Sequence, residues 1–311
     1  MTTAAPQSSS KTRAPLVPQR APNVPQSKIK NQKSNISRPL LLYAILAIGS
    51  LGFLVPFYFV VNGSLKSEAQ VQAGDFVEPP SSAAEIRWHN YPEALSEQKM
   101  NFWPALANTT VITTLCVVGQ VISCSLVGFG FARFRFRGRS ILFMTMLSTM
   151  MLPAQVTMIP VFVLFRWLHM IDTFWPLIIP AWLASPFFVF MFRQFFSQIP
   201  EELIEAARID GAGNLRIYAQ LMLPLSGPVI AIVSIYTFLG TWNDFLGPLI
   251  YLNSPANRTL SLALNSFKGQ YGTSDAQLLM AASVVCMLPC VLLFFAAQRY
   301  FVESVATTGL K

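Results

Sequence analysis

The chain has 311 residues, 53% of them hydrophobic and only 12% charged, against roughly 25% charged in an ordinary soluble domain. That deficit, with 25 Phe, argues for a lipid environment and against a soluble globular enzyme. The net charge of +8 does not indicate a nucleic-acid partner, because the Lys and Arg residues flank apolar runs, as residues that set membrane topology do.

Residues 1–38 are rich in Pro, Ser, Gln and Asn, with seven Lys or Arg and no acid. Such a segment has too little apolar surface to offset the entropy of folding. It reads as a disordered, basic, Pro-rich tail ahead of a membrane domain over 39–311. A bilayer core of about 30 Å takes about 20 apolar residues in helix. Six runs reach that length: 40–61, 106–131, 141–165, 174–196, 228–252 and 278–301. The first is too long for a signal h-region and no small-residue cleavage site follows it. The expected fold is therefore all-α and integral to the membrane, with six transmembrane helices. Pro153 and Pro160 in the third run, and Pro176, Pro180 and Pro186 in the fourth, predict kinked or broken spans that face protein rather than lipid.

Segment 62–105 carries six acids against three bases and includes Pro79-Pro80 and Trp88-His89-Asn90-Tyr91. It predicts a small extracytoplasmic cap with little core of its own. Orientation follows from the Lys and Arg count. The tail, the loop with Arg133, Arg135, Arg137 and Arg139, the segment with Arg193, Arg208 and Arg216, and the end with Arg299 and Lys311 hold 16 of the 22. The positive-inside rule then places both termini in the cytoplasm. Cys116, Cys124, Cys286 and Cys290 lie in apolar runs, apart from His89 and His169, so no metal site is indicated and the thiols read as packing residues.

Segment 197–226, on the cytoplasmic side, is the most informative. Pro200 suits the first turn of a helix and Glu201 and Glu202 complement its dipole. Gly211 or Gly213 suits its C-terminal cap, Asn214 would cap a second short helix, and Pro224 would end it. Helical periodicity puts Ile199, Leu203, Ala206 and Ala207 on one flank and Glu201, Glu205 and Arg208 on the other. A small-residue seam beside fixed charges suits docking; an ordinary amphipathic surface helix fits the pattern as well.

Glu205-Ala206-Ala207, Gly211 three residues on, and Leu221, Leu223 and Pro224 beyond it resemble the EAA motif of the membrane subunits of binding-protein-dependent ABC importers. Leu221 stands where that motif prefers Ile. The likeness extends to Phe192-Arg193-Gln194-Phe195-Phe196, Ile199-Pro200-Glu201-Glu202-Leu203 and Ala206-Ala207-Arg208-Ile209-Asp210-Gly211-Ala212. It includes Asn108-Thr109, the Arg133–Arg139 loop, the stretch from Leu152 to Pro160, Thr241-Trp242-Asn243-Asp244-Phe245 and Arg299-Tyr300-Phe301-Val302. This resembles the carbohydrate-uptake branch, of the maltose-permease type, over about residues 40–311.

The resemblance implies the type I importer permease fold in a bacterial inner membrane. It also implies a coupling helix seated in a separate ABC ATPase. Glu205 would make the charged contact, Ala206 and Ala207 would allow close seating, Gly211 would make the turn, and Arg208, Asp210, Leu221 and Pro224 complete the segment. The implied partners are a second homologous permease subunit in a heterodimer, an ATPase dimer, an extracytoplasmic solute-binding protein and a sugar. Residues near Gly309 would also reach the ATPase. The chain has no Gly-rich loop ending in Gly-Lys-Ser or Gly-Lys-Thr, so no cofactor is expected on it and ATP and Mg belong to the partner.

Asp244 is the clearest ionisable group inside a run, and an intramembrane carboxylate marks a pathway by default. Trp242 would stack on a sugar ring and Asn243 would bond its hydroxyls; a structural cluster near the outer interface is the other reading. Gln120, Ser123, Ser125, Gln155 and Thr157 are further path candidates, or interhelical hydrogen-bonding residues. The rival function, an ion-coupled secondary carrier of a small solute, usually shows repeats and intramembrane charges; the chain shows neither clearly.

Overall fold

Inside a bilayer every backbone N–H and C=O must be satisfied within the protein, which apolar segments of this length achieve as helices. The computed structural model describes residues 37–96, 98–267 and 275–308, and its regular elements among them are helical. The basic tail, apart from its last two residues, and Gly309 lie outside the described residues. The chain divides into two compact units, Met1–Phe53 and Leu54–Lys311. Within the first, the described residues form the opening turns of one apolar helix; the second holds the helical bundle.

The helices in order are α1 (Ser37–Ser64), α2 (Glu68–Gln72), α3 (Asn90–Ala94), α4 (Phe102–Arg133), α5 (Arg139–Ser148), α6 (Ala154–Trp167), α7 (Trp175–Trp182) and α8 (Pro186–Gln198). They continue with α9 (Glu201–Ile209), α10 (Asn214–Ile217), α11 (Leu223–Leu225), α12 (Gly227–Trp242), α13 (Leu246–Tyr251), α14 (Leu260–Leu264) and α15 (Ala276–Thr308). Four segments are long and apolar enough to cross a membrane, and six if each of two bent pairs counts as one span.

The third run breaks as its prolines predict: Arg139–Met151 and Ala154–Trp167 meet at 99°, with Pro153 extended at φ −61°, ψ 134° between them. The fourth breaks between α7 and α8, where Ala184 takes φ +60° and Ser185, ahead of Pro186, is extended. The fifth run corrects its expectation. Residues 228–252 are not one helix: α12 stops at Trp242, Asn243 to Phe245 turn, and α13 resumes. At its start, α12 instead pairs at 78° with the helical stretch Asn214–Leu225.

Long α4 is the spine, packed along α7, α8 and α12. Small residues let helices close on it. A Cβ at Gly128 would lie 2.7 Å from Cβ of Phe192, and one at Gly119 would lie 2.3 Å from the Trp182 indole. One core gathers Phe129, Phe192, Phe196, Ile204, Tyr218, Met222 and Val233. A second gathers Phe102, Trp242, Leu260, Leu278, Ala281 and Ala282.

The cap over 62–105 borrows its core: Ala94 and Met100 join the α15 cluster. A polar knot holds the rest. Lys66, 1% exposed, meets the Asp75 carboxylate at 2.6 Å and donates to the Asp75 carbonyl at 2.8 Å. The Asn90 amide donates to the Ser64 and Lys66 carbonyls, and Lys99 pairs with Asp275 ahead of α15.

Candidate functional site

Three polar constructions interrupt the apolar packing. The first is the segment from Ile199 to Leu225. Pro200 sits at the N-cap of α9 rather than in its first turn. Gly211, at φ +79°, makes the turn after α9, a left-handed conformation that favours glycine. Gly213 precedes α10, so Asn214 is its first residue and not its cap. The second helix also runs past the expected stop: after α10 come a wide π turn over Tyr218–Met222 and α11, with Pro224 inside the last turn and Ser226 closing it.

The flanks of α9 differ from the expected ones. Ile204, 1% exposed, points into the core, with Ile199 and Ala207 packed beside it. Leu203 and Ala206 face outward, so the expected docking flank is split: Ile199 and Ala207 pack on the bundle, while Leu203 and Ala206 stay exposed. A hydrophobic side chain one position along won because Phe192, Phe196 and Met222 leave a slot there. The outward surface of α9 and its turn carries Glu202, Leu203, Glu205, Ala206, Ile209 and Asp210. Ile209 is 87% exposed and Leu215, beyond the turn, 73%.

This segment is fastened to the bundle in two places. Arg133, at the end of α4, reaches the Glu201 carboxylate at 2.7 Å and donates to the carbonyls of Phe196 and Ile199. It thereby binds acceptors left over at the C-terminus of α8, where a cation also suits the helix dipole. Arg208 lies 3.7 Å from Glu201. The Tyr218 hydroxyl shares a 2.7 Å hydrogen bond with Ser125 of α4, and Leu221 packs against the same core.

The second construction surrounds Asp244, in the turn between α12 and α13. Its Oδ1 accepts the Gly247 N–H at 3.1 Å, capping α13. Asp244 lines a cavity of about 260 Å³ with Gln155, Thr157, Gly247 and Tyr251. It also lines one of about 120 Å³ with Thr109, Thr241 and Thr259. The break before α6 and the break after α12 thus face the first cavity. Of the other path candidates, Asn243 is exposed, its amide donating to the Leu239 carbonyl. Trp242 is 6% exposed, stacked on Phe238 at 5.1 Å, with its indole N–H given to the Cys286 carbonyl. Gln120 stands apart, at the α7–α8 break. With its amide oriented to satisfy both neighbours, it donates to the Ala181 carbonyl at 3.2 Å and accepts the Ser185 N–H at 3.0 Å. Ser123 likewise donates to Ala181, and Thr157 to the Ala154 carbonyl of its own helix.

The third construction was not legible in the sequence. Asp172, at φ +63° between α6 and α7, accepts the N–H groups of Asn253 and Ser254 at 2.9 Å each and the Ser254 hydroxyl. Those bonds, the Ser254 hydroxyl first, hold its carboxyl well below the usual carboxylate range. Beside it, Asn108 of α4 donates to the carbonyls of Ala256 and Arg258, and the Thr109 hydroxyl accepts the Leu260 N–H at 2.8 Å. The loop after α13 is therefore held from two sides. The one signal was Asn108-Thr109 in the second apolar run; Asp172 carries none, since its donors come from a loop about 80 residues on.

Apolar spans that break around the Asp244 carboxylate, with an amphipathic helix bolted to one end, have the build of a multi-pass membrane transport subunit. The chain belongs to the family of binding-protein-dependent transport system inner membrane components, whose model matches residues 125–307. It is 37% identical over 210 residues to the arabinooligosaccharides transport system permease protein AraQ of Halalkalibacterium halodurans, covering 68% of this chain and 75% of that one. Identity to the melibiose/raffinose/stachyose import permease protein MelC of Bacillus subtilis is 30%, over 87% of this chain and 96% of that one. In fold it is similar to a chain of a bacterial ABC transporter involved in the import of the acidic polysaccharide alginate. The TM-score there is 0.75 at 24% identity, over 86% of this chain and 98% of that one. The chain is thus an ABC importer permease, as its motifs imply.

Proposed function

We propose that this chain forms half of the translocation path for a sugar or related solute, and that α9 is the coupling helix through which a separate ATPase moves it. The observation that carries the reading is the two-sided construction of α9. Ile204, Tyr218 and Met222 are locked into the core, while Glu205, Ala206 and Ile209 face outward. Force applied to the outer face passes to α8 and α4 through Arg133 and the Tyr218–Ser125 bond. In this reading Glu205 meets a basic group of the ATPase, Ala206 permits close approach, and Leu203 and Ile209 fill its cleft. Ala207, Leu221 and Gly211 set the helix in place, Arg208 steadies Glu201, and Asp210 and Pro224 bound the segment.

The sugar class rests on relatives named for oligosaccharide transport. Asp244, Asn243 and Gln155 are the path residues of this chain, whereas the bonds of Gln120 and the packing of Trp242 favour structural roles. The cavity of about 260 Å³ is smaller than a typical ligand pocket of roughly 300–1,000 Å³. A second, homologous permease subunit completing a heterodimer would enlarge it. ATP and Mg reside on the ATPase dimer, this chain holds no cofactor, and an extracytoplasmic binding protein delivers the solute. The setting is a bacterial inner membrane, with 1–38 as a cytoplasmic tail, 62–105 outside and 197–226 inside.

The test is purification of the assembly with Glu205→Arg beside the wild type, followed by binding-protein-stimulated ATPase activity. The expected result is loss of the ATPase subunit, or its retention without stimulation. Unchanged assembly and stimulation would overturn the assignment of α9 and reopen the carrier alternative.

A further inference from the structure

A cavity of about 550 Å³ opens beside the start of α5, lined by Arg139, Ser140 and Phe143 of that helix and by Arg193 of α8. Among the described residues no carboxylate lines it. Arg139 and Arg193 enter no ion pair among those residues, in contrast to Arg133, which is matched by Glu201. The Arg193 guanidinium lies 4.2 Å from the centroid of the Phe143 ring, which fixes its direction without neutralising it. Its Nε is buried with no hydrogen-bond partner. Gly138, at φ +83°, starts α5 with no side-chain cap, so the first-turn N–H groups add positive potential on the same side.

The rim of this cavity is apolar and open. Ile141 is 73% exposed and Phe136 44%. The cavity also lies where one long span ends, at Arg133, and the next begins, at Arg139. Two unmatched guanidinium groups behind an apolar rim at the end of a span suit one chemistry: a phosphate carried at the level of the headgroups, with acyl chains against the rim.

We propose that this cavity binds the phosphate of an anionic phospholipid, with Arg139 and Arg193 as its ligands. The bound lipid would bridge α5 and α8. Because α8 leads into α9 within three residues, occupancy would brace the base of that helix. The site itself stands whether or not α9 docks an ATPase.

The test uses the full-length chain, purified with any subunits that accompany it, delipidated and titrated with phosphatidylglycerol or phosphatidylcholine under native mass spectrometry. The wild type should retain phosphatidylglycerol preferentially. Arg139→Gln/Arg193→Gln should weaken that retention roughly tenfold or more. Arg135→Gln/Arg137→Gln removes the same charge from the loop ahead of α5, outside the cavity, and should change it little. Arg139→Lys/Arg193→Lys keeps the charge and should recover part of the retention, separating ligand loss from misfolding. Equal losses in the two Gln pairs would reduce the effect to diffuse electrostatics and overturn the site. So would equal retention of the two lipids, the result expected if a partner subunit fills the cavity. Release of the lipid by millimolar inorganic phosphate would assign the cavity to the free anion and overturn the lipid assignment.

Discussion

Single polar side chains do the joining where helices break. Asp172 gathers the loop after α13 with one carboxylate, and Gln120 supplies hydrogen bonds that the α7–α8 break leaves open. A carboxyl held below its unfolded value stabilises the fold above the unfolded pKa of about 3.9 and loses that contribution as pH falls. Asp172→Asn should therefore lower the melting temperature of the purified chain at pH 7. The gap to the wild type should narrow as the pH is taken below about 4, as thermal unfolding across a pH series would show. Gln120→Leu strands the Ser185 N–H, while the Ala181 carbonyl keeps the Ser123 hydroxyl, and should cost about 1–3 kcal/mol, read as a loss of stability in denaturant unfolding at every pH near neutral.

The elements that matter most are α4, α8 and α9. Where α8 crosses α4, Gly128 leaves no room for a side chain: the nearest atoms are the Phe192 Cβ and, at 3.1 Å, the Arg193 backbone N. Backbone cannot yield as a flexible side chain can, so Gly128→Ala should destabilise by about 1–3 kcal/mol. Gly130 has open space around it, and Gly130→Ala is the matched control, expected to be neutral or slightly stabilising. On α9, the buried and outward flanks separate two effects. Ile204→Asp buries a charge among Phe192 and Phe196 and should abolish folded protein. Leu203→Asp alters only the outward face; size-exclusion profiles should match the wild type while ATPase co-purification falls. Periodicity found the helix and its charged side, but not which neighbouring apolar position turned inward, because that depends on the shape of the slot offered by α8 and the π turn.

Across the whole molecule, breaks far apart in sequence converge. Gln155 follows the α5–α6 break and Asp244 follows α12, and both line one cavity. If this is the solute path, Asp244→Asn keeps an oxygen to cap α13 but removes the charge, and solute uptake should fall roughly tenfold. Assembly and ATPase stimulation should persist; uptake equal to the wild type would remove Asp244 from the path.

Composition and run length alone determined that the chain is helical and membrane-spanning, because a bilayer leaves an apolar backbone segment few other options. Proline positions determined that the third and fourth runs break, and the spacing from Glu205 to Pro224 determined the family resemblance. The end of α12 at Trp242, the inward turn of Ile204, the Asp172 clamp and the neutral surroundings of Arg139 and Arg193 were decided only by tertiary structure. Each depends on a partner distant in the chain, and local periodicity does not encode which distant groups a side chain will meet.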